Sequence, residues 1–303
     1  MRTLVVGAGA TGGYFGGRLI QAGRDVTFLV RPGRAAALAD RGLRIKGPGE
    51  ETVLTPRTVT AGTIDGPYDL VLLAVKSYSL EPALADLAPA AGTRTVIVPL
   101  LNGMRHVEAM VGAFGPERAW GGVCMIHATV DADGDIVQMT GLHRMVFGPL
   151  EGAADDRLEA VTATLTGAGF DCRASAAIVH EMWEKWVLLA TMGAATTLMR
   201  ASVGAINAAP GGAAFGQALA AEAVAVATAA GWAPRAKALA MLESAISTTE
   251  PTTSSMYRDL IQGLPVEADA IVGDMVTEAA RHGVAAPLLS AAYTGLSIYS
   301  ATR

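Results

Sequence analysis

The sequence predicts an α/β chain, with a doubly wound parallel sheet over residues 1–176 and an all-helical domain over residues 177–303. Three observations predict it. Short, continuous apolar runs alternate with alanine-rich stretches in the first half, as expected for strands buried on both faces and separated by helices. The first of those runs feeds directly into a glycine-rich turn. Around residues 175–180 the β-branched runs stop, and residues rich in Ala, Leu, Met and Glu follow, broken at Gly204, Pro210, Gly231, Pro251, Gly263 and Pro287.

The opening run Thr3-Leu4-Val5-Val6 leads into Gly7-Ala8-Gly9-Ala10-Thr11-Gly12, and a second run, Val26-Thr27-Phe28-Leu29-Val30, ends on Arg31. Strand, G-x-G-x-x-G, helix and strand at this spacing form the fingerprint of a Rossmann-type dinucleotide-binding fold. The glycines permit a tight turn, close approach of a pyrophosphate to the backbone, and close packing of helix on strand. The diphosphate would take the free N–H groups at the helix start. A site for NAD usually places Asp or Glu about 20 residues further on, against the ribose 2′-hydroxyl. Here that strand ends in Arg31, with Arg34 close behind, and a guanidinium suits a 2′-phosphate. The expected cofactor is therefore NADPH.

Two more central strands follow. Tyr68 to Val75 is a continuous apolar run ending at Lys76, and Thr95-Val96-Ile97-Val98 ends in Pro99-Leu100-Leu101-Asn102-Gly103. Between Ala119 and Leu150 the rhythm changes around the turn Asp131-Ala132-Asp133-Gly134-Asp135, which predicts antiparallel strands added at the sheet edge. With a helical domain after the sheet, substrate is expected in the cleft between them, outside the carboxyl ends of the strands.

Bulk composition narrows the function classes. Of 303 residues, 51% are apolar and 17% charged, which suits packed domains rather than disorder. A net charge of -5 gives no reason to expect a nucleic-acid partner. Two cysteines are too few for a disulfide framework, so the cytoplasm is the expected compartment. Glycines within residues 7–17 make a poor apolar core for a signal peptide, and Asn207, Pro210, Gly211, Gly212 and Gln217 interrupt the uncharged stretch Ala201–Ala221, so no membrane span is expected. No residue cluster calls for a metal.

The chemistry-bearing candidates are read with their alternatives. Lys76 and Asn102 follow central strands, where they are either contacts to cofactor and substrate or, respectively, a solvated strand-end lysine and a turn residue before Gly103. Lys185 lies in the apolar helix Glu181-Met182-Trp183-Glu184-Lys185-Trp186. It is either a surface lysine paired with Glu181 one turn back, or a general acid that protonates a carbonyl oxygen as hydride arrives at carbon. Ser254-Ser255-Met256 and Glu267 form a third group, with Ser255 open to a helix N-cap role and Glu267 to that of a solvated helix-start carboxylate. Met256, Leu260, Leu264 and Glu267 share a face only if a helix runs through Pro265.

Together these blocks resemble the ketopantoate reductase (2-dehydropantoate 2-reductase) family over nearly the whole chain. The resemblance rests on Gly7-Ala8-Gly9-Ala10-Thr11-Gly12 with Arg31, Val75-Lys76, Asn102-Gly103-Met104, Trp183-Glu184-Lys185, and Ser254-Ser255-Met256 with Glu267 eleven residues after the methionine. It implies reduction of a 2-oxo acid with NADPH, ketopantoate to pantoate in pantothenate biosynthesis. By position it implies that Arg31 holds the 2′-phosphate, that Lys76 and Asn102 line the nicotinamide and substrate region, and that Lys185 donates the proton. Ser255 would contact substrate, and Glu267 would orient Lys185 or a substrate hydroxyl. The resemblance also allows a homodimer, although no stretch marks an interface.

The sequence departs from the family pattern one and two turns after Lys185. Leu189 and Gly193 stand where enzymes acting on ketopantoate carry asparagines, and Val203 stands where the family often has another before Gly204. A site that loses hydrogen-bonding groups loses preference for the hydroxyl they bound. The readings that follow are a reductase of ketopantoate, a reductase of a bulkier or less hydroxylated 2-oxo acid, or an NADPH-binding regulator without turnover. Retention of Lys76, Lys185, Ser255 and Glu267 argues against the last.

Overall fold

The apolar runs pair as parallel strands because each is apolar on both sides and is buried on both. The computed structural model describes residues 1–151 and 155–303. It divides into one unit of Met1–Leu101 and His106–Val179 and a second of Asn102–Arg105 and His180–Arg303.

In the first unit the elements run β1 (Thr3–Val6), α1 (Ala10–Gln21), β2 (Val26–Leu29), α2 (Pro32–Arg41), β3 (Leu43–Gly47), β4 (Glu50–Leu54), β5 (Arg57–Val59), β6 (Tyr68–Leu73), α3 (Leu80–Leu87), β7 (Ala91–Pro99), α4 (Arg105–Phe114), β8 (Trp120–Val130), β9 (Ile136–Pro149), α5 (Leu158–Leu165) and β10 (Asp171–Ala174). The first sheet has the order β5-β2-β1-β6-β7, and its strands are all parallel. Val6 is in register with Leu29 and Leu73, and Leu73 with Pro99, so the carboxyl ends of the central strands form one edge. One face buries Val5, Phe28, Leu70, Leu72 and Val98 with Phe15 and Leu19 of α1. The other buries Leu4, Val6, Val71, Leu73 and Ile97 with Leu84 and Leu87 of α3 and Met110 and Phe114 of α4. Each such side chain contributes roughly 1.5–3 kcal/mol of burial.

The segments between Ala119 and Leu150 do not extend that sheet. They build a second one, order β10-β9-β3-β4, with β8 antiparallel to β9 and an isolated bridge, Ile97 to Ala119, back to the first. Helix α1 packs between the two sheets, and its glycines explain how. A Cβ on Gly13 would stand 2.3 Å from Ile136 Cδ1, on Gly16 2.5 Å from Phe28 Cζ, and on Gly17 2.5 Å from Ile45 Cδ1. Helix and sheets thus pack closely at these glycines, and a side chain at any of them would force Phe28, Ile45 or Ile136 to shift.

The second unit is helical: α6 (Ile178–Met199), α7 (Val203–Ala208), α8 (Gly212–Ala229), α9 (Ala236–Ile246), α10 (Ser255–Ile261), α11 (Asp274–Arg281) and α12 (Pro287–Ala301), with a π-helical turn at Asp269–Gly273. The stretch 201–221 breaks at 209–211, between α7 and α8. Among the described residues α8 is the one helix long and apolar enough to cross a membrane, and here it packs against α7, α9, α11 and α12.

Candidate functional site

In the first unit, backbone does most of the construction. Gly7 follows β1 at φ +97°, donates its N–H to Leu29 O at 2.9 Å, and leaves 2.9 Å between a would-be Cβ and Ala74 O. A Cβ on Gly12 would lie 2.2 Å from Gly7 O and 2.7 Å from Ala74 Cβ, so a larger residue would push α1 off the turn. Gly9 is the N-cap of α1 and provides no side-chain cap, and nothing stands within 4 Å of its Cβ position. Ala10 and Thr11 open the helix behind it. Uncapped first-turn N–H groups facing open space fit the diphosphate of a dinucleotide.

Arg31 is the exposed N-cap of α2, with Nη2 3.5 Å from Ser79 Oγ. Arg34, absent from the resemblance, reaches back to donate Nη2 to Ala8 O at 3.1 Å. Burial lowers its pKa, and Asp135 opposes that shift. Two guanidiniums thus flank the end of β2, and no carboxylate occupies residues 30–34. Lys76 is exposed and caps the short 3-10 turn Ser77–Ser79, its carbonyl accepting Ser79 N–H at 2.9 Å.

The acidic turn at 131–135 has a structural account. Lys46 Nζ lies 2.9 Å from both Asp131 Oδ2 and Asp135 Oδ2, which raises the lysine pKa, while Arg41 Nη2 lies 3.4 Å from Asp135 Oδ1. Asp131 Oδ1 accepts the N–H groups of Asp133 and Asp135.

The second unit assembles side chains from four separate segments. Asn102 precedes Gly103, whose φ of +79° and Cβ position 2.1 Å from Ala270 O let this chain segment lie against the π turn. Asn102 is therefore a turn residue and also a donor, Nδ2 to Glu267 Oε2 at 3.4 Å. Glu267 does stand at a helix start, but it is 6% exposed rather than solvated. The continuous face from Met256 to Glu267 is not formed. Helix α10 stops at Ile261, because Gly263 turns at φ +67° and Pro265 cannot carry the helix on.

Lys185 is 8% exposed, which removes the surface-lysine alternative. Its helix is held on both sides. Trp186 Nε1 donates to Ile271 O at 2.9 Å, tying α6 to the π turn that follows Glu267. A Cβ on Gly193 would stand 2.7 Å from Met256 Cε, which places the start of α10 against the same helix. π-helical turns are frequent at functional sites, and this one links the Glu267, Gly103 and Trp186 segments. Glu184 faces elsewhere. Its carboxylate takes Arg235 Nε and Nη2 at 2.7 and 2.6 Å. Burial works against its charge, but the Arg235 pair prevails and holds its pKa below the ordinary range.

The N-cap of α10 is Ser254, not Ser255. Ser254 Oγ accepts Tyr257 N–H at 3.0 Å and shares a hydrogen bond with Thr196 Oγ1 at 2.8 Å. Ser255 is thereby left exposed at the first helical position. Leu189 is half-buried and Gly193 buried along α6. The residues that sequence reasoning passed over are Trp186 and the Arg105–Asp274 pair (Nε to Oδ2, 3.0 Å), whose partners are distant in sequence and unmarked by any motif.

Comparison with known proteins places this architecture. The family model described as ketopantoate reductase PanE/ApbA matches residues 3–152, and its C-terminal counterpart matches residues 177–299. The chain is 36% identical over 305 aligned residues to the uncharacterized oxidoreductase YkpB of Bacillus subtilis, covering 100% of both. It superimposes on the crystal structure of 2-dehydropantoate 2-reductase from Geobacter metallireducens with TM-score 0.89, 28% identity, and 98% and 99% of the two chains covered. A ternary structure of D-mandelate dehydrogenase with NADH and anilino(oxo)acetate shares the fold at TM-score 0.87 and 22% identity, with 99% of each chain covered. The chain belongs to the ketopantoate reductase family and is an oxidoreductase of that type.

Proposed function

We propose that this enzyme reduces a 2-oxo acid with NADPH, 2-dehydropantoate being the first substrate to test. The observation that carries the proposal is a lysine, Lys185, buried to 8% exposure on a helix tied through Trp186 to the turn after Glu267. Buried lysines are rare in soluble proteins unless the ammonium is used or matched. When bound, the cofactor supplies a hydride to the carbonyl carbon. Gly7, Ala8, Gly9, Ala10, Thr11 and Gly12 would hold its diphosphate, Arg31 its 2′-phosphate, and Lys76 with Asn102 would border its nicotinamide.

Lys185 then holds a proton at Nζ for the substrate's carbonyl oxygen, which stays bonded to carbon and takes that proton to become the product's hydroxyl. Asn102 and Glu267 are already mutually aligned, so the amide and carboxylate need little reorganisation to position substrate or lysine. Ser255, exposed at the start of α10, supplies a hydroxyl to the same ligand. Free Cys124 and Cys172 support a reducing compartment such as the cytoplasm.

One observation favours a less hydroxylated substrate. Leu189 and Gly193 provide no side-chain hydrogen bonds, and Met256 fills the space that a side chain at Gly193 would take. The pair therefore offers an apolar lining, which favours an alkyl 2-oxo acid over a hydroxylated one. The test is NADPH oxidation with 2-dehydropantoate beside alkyl and aromatic 2-oxo acids, with Lys185→Ala in parallel. A kcat loss of about 10²–10⁴ in the variant, with NADPH affinity kept, is expected. Equal turnover by the variant would contradict the assignment.

A further inference from the structure

Helix α10 carries a cation that the family resemblance leaves without a role. Met256 and Leu260 bury one side of the helix. Ser255, Arg258 and Asp259, three and four residues apart, share the other. Arg258 is half-buried, and its Nη1 folds back to donate to Thr253 O at 2.9 Å and Thr253 Oγ1 at 3.4 Å. The guanidinium therefore lies beside the segment that leads into Ser255. Among the described residues it makes no ion pair, and its Nε and Nη2 donors have no protein acceptor. Desolvation pushes its pKa down, and the neighbouring Asp259 carboxylate opposes that shift without reversing it. The platform is firm: Ser254 is bonded to Thr196 of α6, and Tyr257 OH donates to Arg200 O at 3.0 Å.

A planar fork with one edge used and the other open fits a carboxylate, which takes two parallel N–H bonds. We propose that Arg258 determines specificity by binding the carboxylate of the 2-oxo acid through its Nε–Nη2 edge, beside Ser255. The proposal rests on the reading of the second unit as the substrate-binding half. It also complements the loss of polar groups at Leu189 and Gly193, because recognition moves from a variable hydroxyl to the anion that every 2-oxo acid carries.

Calorimetric titration of the NADPH-saturated enzyme with oxamate, and with neutral oxamide as the uncharged counterpart, tests it. Arg258→Gln should weaken oxamate by about 10- to 100-fold, the span of one charge-assisted pair, and leave oxamide unchanged. Arg258→Lys should recover part of the loss, since it restores charge without the fork. Thermal unfolding and NADPH affinity of both variants should match wild type. Unchanged oxamate affinity, or equal losses for oxamate and oxamide, would overturn the proposal. The broader reading fails separately, by absence of wild-type turnover on any 2-oxo acid.

Discussion

The two units hold their candidate residues by different means. In the first, the candidate surface is backbone: Gly7 at positive φ, Gly12 pressed on Gly7 O, and Gly9 leaving the start of α1 without a side-chain cap. In the second, the candidate residues are the side chains of Asn102, Lys185, Ser255 and Glu267, on segments that a π turn and close-packed glycines set against one another. A backbone cradle is specified within six residues, and Gly7 and Gly12 leave no room for a side chain. A side-chain site is specified over more than half the chain, and it can change its ligand by exchanging one residue at a time.

That contrast can be broken at either end. Gly12→Val should abolish measurable NADPH binding and lower stability by about 1–3 kcal/mol, because the branched side chain meets Gly7 O and Ala74. Fluorescence titration with NADPH and a melting curve would show it, and retained affinity would mean the cradle is softer than its packing implies. Arg31→Ala should weaken NADPH by about 10- to 100-fold and leave NADH nearly unaffected, since one charge-assisted contact to the 2′-phosphate is lost. If both cofactors weakened alike, Arg34 would become the better candidate for that contact. A third variant, Glu184→Gln, sharpens the comparison by isolating scaffold from site. The Glu184 pKa is depressed in the folded state, so the pair with Arg235 adds stability above the unfolded carboxyl pKa of about 4.3, and that stability is lost as pH falls through the lower folded value. The stability gap between wild type and variant should therefore be present at neutral pH and shrink in acid, with NADPH turnover little changed.

How much could be read in advance follows the same division. Apolar runs at 3–6, 26–29, 68–73 and 95–98 are legible as strands because both their faces are apolar, and the glycine turn is legible because its geometry is local. The second sheet is not. Strands β3 and β4 are short and half polar, and β9 pairs with partners both before and after it in the chain, so no window around residues 119–150 reveals that these strands leave the first sheet. The burial of Lys185 and Glu267 is likewise a tertiary fact. A lysine one turn after Glu181 has the spacing of a surface residue, and only packing shows that it is buried. The cap lies at Ser254 rather than Ser255, a difference of one residue of helix phase, and Ser254 also bonds Thr196 across to α6.

The most direct test of the central claim is the initial rate of NADPH oxidation by the wild-type enzyme, with 2-dehydropantoate beside a panel of alkyl and aromatic 2-oxo acids. Reduction of at least one of these acids at a rate of turnover, lost with Lys185→Ala, is the predicted result. Tight NADPH binding with no 2-oxo acid reduced would contradict the account and leave the chain a cofactor-binding protein without this chemistry.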